Sequence, residues 1–187
     1  MVTTEAGVTA LPRRPLVVFL MGVTGSGKTT LGEALGLAWS WPYHDADAYH
    51  PPANVAKMRA GTPLTDDDRV PWLIALHDCA QQTVERGDGA VIGCSALKAS
   101  YRAILRGSLA PVAFVWLDVP REALQARMDA RRGHFMPASL LDSQLHTLEA
   151  PVHAFHIDGD QPVEDLVREV TTRLIAWQES SPQTGDD

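Results

Sequence analysis

The sequence predicts an α/β domain, a doubly wound parallel sheet of about five strands with helices on both faces. Two observations carry this. Short apolar, β-branched runs alternate along the chain with segments of helical period, as repeated strand–helix units do. Between the first such run and the first helical segment lies Gly22-x-x-x-x-Gly27-Lys28-Thr29, a glycine-rich turn that holds phosphate in that setting.

In chain order, "PLVVFLMG" is a fully buried strand ended by glycine, and a helix follows from Lys28 to about Trp39. "WPYHDAD" is expected to form a second short strand ending at two aspartates. Pro51, Pro52 and Asn54 lead into a short helix that Gly61 stops. "LTDDDRVPWLIALHDCAQQTVERGDG" is a long helix expected to begin close to Pro71, with Asp67 or Asp68 as its cap, because proline is tolerated only near the first turn. "AVIGC" is the third strand, Tyr101 to Arg106 is helical, and "VAFVWLDV" is the strongest strand signal. A helix from Arg121 to Arg131 is broken by "RRGHFMP"; "AFHI" is the fifth strand, and a last helix buries Val163, Leu166, Val167, Val170 and Leu174. The expected organisation is a flexible extension over 1–15, one domain over 16–177 with a lid around 127–148, and a disordered tail over 178–187.

The formal net charge of −7 excludes a general nucleic-acid or anionic-membrane binder, since both need basic surfaces. No apolar run reaches the roughly 20 residues that span a bilayer. Cys79 and Cys94 are not spaced as a metal or redox pair, and reduced, buried thiols are expected.

The residues from Gly22 through Val23, Thr24, Gly25, Ser26, Gly27, Lys28 and Thr29 to Thr30 form the candidate nucleotide site. Glycines let backbone N–H groups turn inward onto phosphate oxygens, and the following helix presents its positive end. Lys28 is expected to reach the β- and γ-phosphates of ATP, and the Thr29 hydroxyl to ligate Mg²⁺. The motif does not name the acceptor.

Asp45 and Asp47, two apart on a predicted strand, are expected to share a face at its carboxyl end, where ligands gather in such sheets. Asp45 is then the group near the metal, and Asp47 the base for the attacking hydroxyl. Asp66 to Asp68 read equally as part of a site or as a capped helix start. Arg69 beside the cleft suits a carboxylate. Ser95, Lys98 and Arg102 follow the third strand, the last two on one helix face. Arg127 and Arg131, four apart, are expected to clamp the triphosphate when a flap from about Gly133 to Leu148 closes. His153 and His156 are placed three apart in a strand and face opposite ways, so no metal is expected there; His50 and His134 are candidate substrate contacts.

"GVTGSGKTT", "DADAYHPPANVAKMRAGTPLTDDDRVPWL", "CSALKASYRAILR" and "RRGHFMPASLLDSQLHTLEAP" together resemble the bacterial-type gluconokinases over residues 16–177. The His-Pro-x-x-Asn-x-x-Lys-Met block followed by Pro-Leu-x-Asp-x-Asp-Arg-x-Pro-Trp-Leu is the specific part. The resemblance implies a P-loop kinase fold similar to shikimate and nucleoside monophosphate kinases. It implies phosphorylation of the terminal hydroxyl of D-gluconate by ATP, in a cytoplasmic homodimer with no nucleic-acid or membrane partner. It draws Lys57, Asn54, Arg69, Ser95, Lys98, Arg102 and His134 into a pocket for a polyol acid. Ala46 and Thr24 stand where glycine and serine are common in such enzymes. Shikimate or another small polyhydroxy acid is the alternative acceptor, and a non-catalytic nucleotide switch the alternative class.

Overall fold

The computed structural model describes residues 15–109, 111–130 and 138–180. Five strands form one sheet in the order β2-β3-β1-β4-β5: β1 (Val17–Met21), β2 (Tyr43–Asp45), β3 (Ala90–Gly93), β4 (Val112–Asp118) and β5 (Phe155–Asp158). Every pairing is parallel. The helices are α1 (Lys28–Trp39), α2 (Pro52–Arg59), α3 (Asp66–Glu85), α4 (Ala99–Arg106), α5 (Arg121–Ala130), α6 (Ala138–Thr147) and α7 (Val163–Ser180).

Period-two alternation in β1 divides the core. Val17, Phe19 and Met21 pack with Trp72, Leu73 and Leu76 of α3 and Tyr101 and Leu105 of α4. Leu16, Val18 and Leu20 face the opposite layer, among Leu31 and Leu35 of α1 and Leu166, Val170 and Leu174 of α7. Phe19 stands in register with Phe114 of β4, and their rings stack at 5.2 Å. Each such fully buried side chain contributes about 1.5–3 kcal/mol, so the central strand is the best-anchored element. In the α1–α7 layer, Trp39 Nε1 donates to Thr171 Oγ1 across 3.1 Å.

The chain leaves β1 toward β2 and leaves β4 toward β5, although β1 and β4 are neighbours. A crevice therefore opens at their carboxyl ends, where such sheets bind ligands. A third apolar cluster, Val23, Leu97, Val119, Leu124, Met128 and Leu141, seats α5 and α6 beside it.

Four expectations are corrected. Helix α3 begins at Asp66, five residues before Pro71, and its cap is Thr65 rather than Asp67 or Asp68. The Thr65 hydroxyl accepts from the Asp68 N–H, and the Asp68 carboxylate accepts from the Thr65 N–H at 2.9 Å. This reciprocal pair outweighs the preference of proline for the first turn. Pro71 costs the Asp67 carbonyl its helical donor. In the same turn the Asn54 amide donates to the Asp68 carbonyl at 2.7 Å from outside the helix. Strand β2 stops at Asp45, so Asp47 is not on it. His153 precedes β5 rather than lying within it. Helix α7 continues to Ser180, past the expected end of the domain at 177, with Trp177 held edge-on to Phe155 at 6.0 Å.

Helix α1 carries glycine at 32 because the Tyr43 ring lies on it, and at 36 because the Trp41 carbonyl would stand 2.9 Å from a Cβ there. A methyl group on Gly32 would sit 2.2 Å from Tyr43 Cε2. Replacing a helical glycine by alanine ordinarily gains about 1 kcal/mol, but overpacking of this kind costs about 1–3 kcal/mol. Gly32→Ala is therefore expected to lower the melting temperature. A thermal melt showing equal or greater stability would mean that Tyr43 leaves the helix freely.

Candidate active site

The turn after β1 has the backbone its glycines were expected to allow. Gly22, Gly25 and Gly27 lie at φ 143, 80 and 97°, a region closed to most side chains. A Cβ on Gly22 would also approach Ser26 Oγ to 2.8 Å and the Leu117 carbonyl to 2.9 Å. Helix α1 starts at Lys28, directly after the turn. The Lys28 ammonium bends back over the loop and donates to the carbonyls of Gly22 and Val23, both at 2.9 Å. Ser26 Oγ is buried with no hydrogen-bond partner among the described residues. Thr29 and Thr30 are exposed at the positive end of α1.

Asp45 and Asp47 come together, though not on one strand face. Asp45 ends β2, and its carboxylate accepts the Asp47 N–H at 3.0 Å, capping a 3₁₀ turn over Ala46–Tyr49 that carries Asp47. The short polar side chain of Asp45 competes with the strand ladder for backbone N–H groups and ends it. The turn is anchored from below by Trp72 Nε1, which donates to the buried Ala46 carbonyl at 2.7 Å. Both carboxylates are exposed toward solvent.

Strand pairing places them near the phosphate loop, since Asp45 stands in register with Gly93 of β3 and the Gly22 N–H of the loop donates to the Ser95 carbonyl just beyond β3. Burial pushes the Cys94 thiol, just beyond β3, up to about 12; the Lys28 charge opposes the shift, and Asp47 and Asp45 add to it. The Tyr43 phenol is raised by burial, lowered by a hydrogen bond with Thr29, and raised by Asp45 and Asp47. Lysine, threonine and both aspartates thus surround the carboxyl ends of β1, β2 and β3. These oxygen donors suit Mg²⁺, which takes one or two protein oxygens and completes its shell with phosphate and water. No cluster of three or more histidine, cysteine or acidic side chains arranged for a metal occurs among the described residues.

Across the crevice the cations are paired with aspartates from the acidic run. Lys57 Nζ meets both Asp68 oxygens at 2.6 and 2.8 Å, and with the Thr65 cap this holds the Asp68 carboxyl down to about 2. Lys98, the residue before α4, meets Asp66 at 2.6 Å. Arg69 donates to the Leu64 carbonyl at 2.7 Å and approaches the Tyr101 hydroxyl at 3.5 Å. His50 stacks on Trp72 at 4.4 Å, and burial lowers its pKa. Ser95 follows β3, with its carbonyl accepting the Gly22 N–H at 3.3 Å.

Two candidate substrate residues are placed otherwise. The Arg102 guanidinium is spent on the carbonyls of Ala96, Leu97 and Glu149, at 2.9 to 3.0 Å, and burial lowers its pKa. It braces the segment after β3 and does not share a ligand face with Lys98. Asn54 is only 4% exposed and ties α2 to α3 through the Asp68 carbonyl.

Of the expected lid, residues 127–130 and 138–148 lie within the described residues. Arg127 donates to the Gly159 carbonyl at 2.9 Å and to Asp160 at 2.8 Å, so it docks on the loop after β5 beside Gly27. Helix α6, placed in the flap, is seated: Leu141 is fully buried, and Arg121 pairs with Asp142 at 2.7 Å. Gln144 Oε1 accepts the Thr24 N–H at 2.7 Å. The Glu149 N–H donates to the Leu97 carbonyl at 2.9 Å. Arg131, Gly133 and His134 lie outside the described residues. Gln144, Trp72, Tyr43 and Tyr101 were missed by sequence reasoning, and only Tyr101 carried a signal, being one helical turn from Lys98.

The family described as an AAA domain matches residues 17–151. A gluconokinase of Gluconobacter oxydans is 51% identical over 155 residues, 83% of this chain and 84% of the relative. The chain belongs to the gluconokinase family. A gluconokinase crystal structure from Sinorhizobium meliloti covers 89% of the chain and 95% of its own, with 46% identity and a TM-score of 0.78. A shikimate kinase from Aquifex aeolicus, 17% identical with a TM-score of 0.57 over 88% of this chain and 99% of its own, shares the fold alone. Measured against those relatives, this gluconokinase-family chain is a P-loop kinase with a five-stranded parallel sheet. No described helix is long and apolar enough to cross a membrane.

Proposed function

We propose that the chain transfers the γ-phosphoryl group of ATP to the terminal hydroxyl of D-gluconate, giving 6-phosphogluconate and ADP. What supports this reading is a phosphate loop after β1 in the same chain as the exposed carboxylates Asp45 and Asp47 and the cations Lys57, Arg69 and Lys98. Phosphate donors and a base serve any small-molecule kinase. The cations suit an acceptor that is itself an anion, and the relatives' names supply gluconate as that anion.

In this reading the loop N–H groups and Lys28 hold the β- and γ-phosphates, and Lys28 exchanges its loop carbonyls for phosphate oxygens. Thr29 and Asp45 would hold Mg²⁺, which would supply charge neutralisation at the phosphates. Asp47 accepts the proton of the attacking hydroxyl while the new O–P bond forms and the bond to the β-phosphate oxygen breaks. Arg127 lies on the nucleotide side, and Arg131 and His134 are assigned to phosphate and substrate. His50 and Ser95 offer hydrogen bonds to the polyol. A cytoplasmic homodimer completes the reading, supported by the sequence resemblance and checked by sedimentation equilibrium.

ADP release over a panel of sugar acids, with shikimate included, tests the acceptor. Gluconate is expected to give the highest kcat/KM, and a strong preference for shikimate would replace the reading. In the same assay Arg69→Ala is expected to raise KM for gluconate by about tenfold or more while KM for ATP changes little, because a charge-assisted contact contributes about 1.5–3 kcal/mol. An effect confined to ATP would move Arg69 to the nucleotide side.

A further inference from the structure

Helices α3 and α4 pack against each other, and one carboxylate between them has more partners than its local role needs. Asp66, the first residue of α3, receives Lys98 Nζ on Oδ2 at 2.6 Å and the Tyr101 hydroxyl on Oδ1 at 2.5 Å. Arg69 lies 3.6 Å from Oδ1. Lys98 and Arg69 both flank the Tyr101 ring, 5.6 and 5.9 Å from its centroid. The start of α3 does not require this arrangement, since Thr65 and Asp68 already form its capping box and Asp67 and Asp68 already complement the helix dipole. The Asp66 side chain is 58% exposed, whereas Lys98 and Arg69 are about one-third exposed, at 30% and 31%. The donors are thus the less exposed groups, and the carboxylate is laid over them from the solvent side.

Two cations and a phenol converging on one planar anion form the donor set that a free carboxylic acid ligand needs. We propose that Asp66 is an internal stand-in for the acceptor's carboxylate. Asp66 holds Lys98 and Tyr101, with Arg69 beside them, in a ligand-ready arrangement, and acceptor binding exchanges the Asp66 carboxylate for that of the acceptor. This rests on the proposed function for the identity of the acceptor. Arg69 keeps its orientation through the exchange, because its bond to the Leu64 carbonyl does not involve Asp66. The exchange makes Asp66 a specificity-determining residue. A neutral polyol with the same hydroxyls cannot displace it, whereas an acid can, and the internal anion limits how tightly that acid binds.

Calorimetric titration of gluconate and of glucitol, its neutral polyol counterpart, into wild type, Asp66→Asn and Asp66→Ala tests this, beside gluconate-dependent ADP release. Removing the competing charge is expected to tighten gluconate binding and lower its KM by about three- to tenfold, the scale on which one removed like charge acts in a partly exposed site. Glucitol binding and KM for ATP are expected to stay unchanged. Weaker or unchanged gluconate binding in both variants would mean that Asp66 braces Lys98 and Tyr101 or binds a substrate hydroxyl, and the exchange falls. Loss of the native circular-dichroism spectrum in both variants would make Asp66 structural and overturn the exchange as well. Wild type that turns over no gluconate removes the proposed function, while tighter gluconate binding by the variants would still uphold the exchange.

Discussion

Lys28→Ala is expected to lower phosphoryl transfer about a thousandfold while leaving the fold intact. The ammonium donates to the Gly22 and Val23 carbonyls of the loop, and the glycine conformations of that loop do not require it. Charge stabilisation by a single positioned donor accounts for about 10²–10³ in rate, and a full positive charge against the transferring group lies at the upper end of that range. The stability change is expected to be small by comparison, because the glycine conformations and the start of α1 do not depend on the lysine. Single-turnover ADP formation beside a thermal melt checks both halves. Near-normal turnover would remove the phosphate assignment, and a collapsed melt would show that the lysine holds the loop rather than the nucleotide.

Asp47→Asn is expected to reduce kcat about a hundredfold with little change in KM for ATP. The basis is positional: Asp47 stands exposed on the 3₁₀ turn over the crevice, and that turn is pinned through Ala46 by Trp72. A positioned base contributes about 10²–10⁴, and the loose transition state of phosphoryl transfer pulls the effect toward the low end. Asparagine keeps the size and the backbone turn, so the change isolates the proton acceptor. Turnover within a factor of three of wild type would make Asp47 a binding residue only. Asp45→Asn is the informative companion, since Asp45 also caps the turn through the Asp47 N–H and its loss disturbs both metal and base.

The sheet and the phosphate loop were legible because both are local. Strand β1 is a contiguous apolar run, and the left-handed glycines 22, 25 and 27 advertise themselves by residue type alone. The boundaries that failed did so through competition among local signals. Pro71 suggested a late start for α3, but a capping box six residues upstream, at Thr65, won. Asp45 and Asp47 promised a shared strand face; the tendency of an aspartate to take a backbone N–H two residues on broke the strand instead. The candidate cations were identified by charge and neighbourhood, and neither says whether a side chain is available to a ligand.

By itself, then, the sequence determined the order of strands and helices, the phosphate-binding turn and the stock of carboxylates and cations in the acceptor segments. Those features depend on residues within one or two helical turns of each other, where periodicity and backbone sterics decide. The tertiary structure alone decided which of those charges remain for a ligand. Lys98 meets Asp66 across 32 positions, Arg102 is taken by the Glu149 carbonyl across 47, and Gln144 reaches the phosphate loop across 120. Such pairings follow from how the helices pack on the two faces of the sheet. A lysine or arginine has the same charge wherever the chain places it, but its function depends on which acceptor the fold brings within hydrogen-bonding distance.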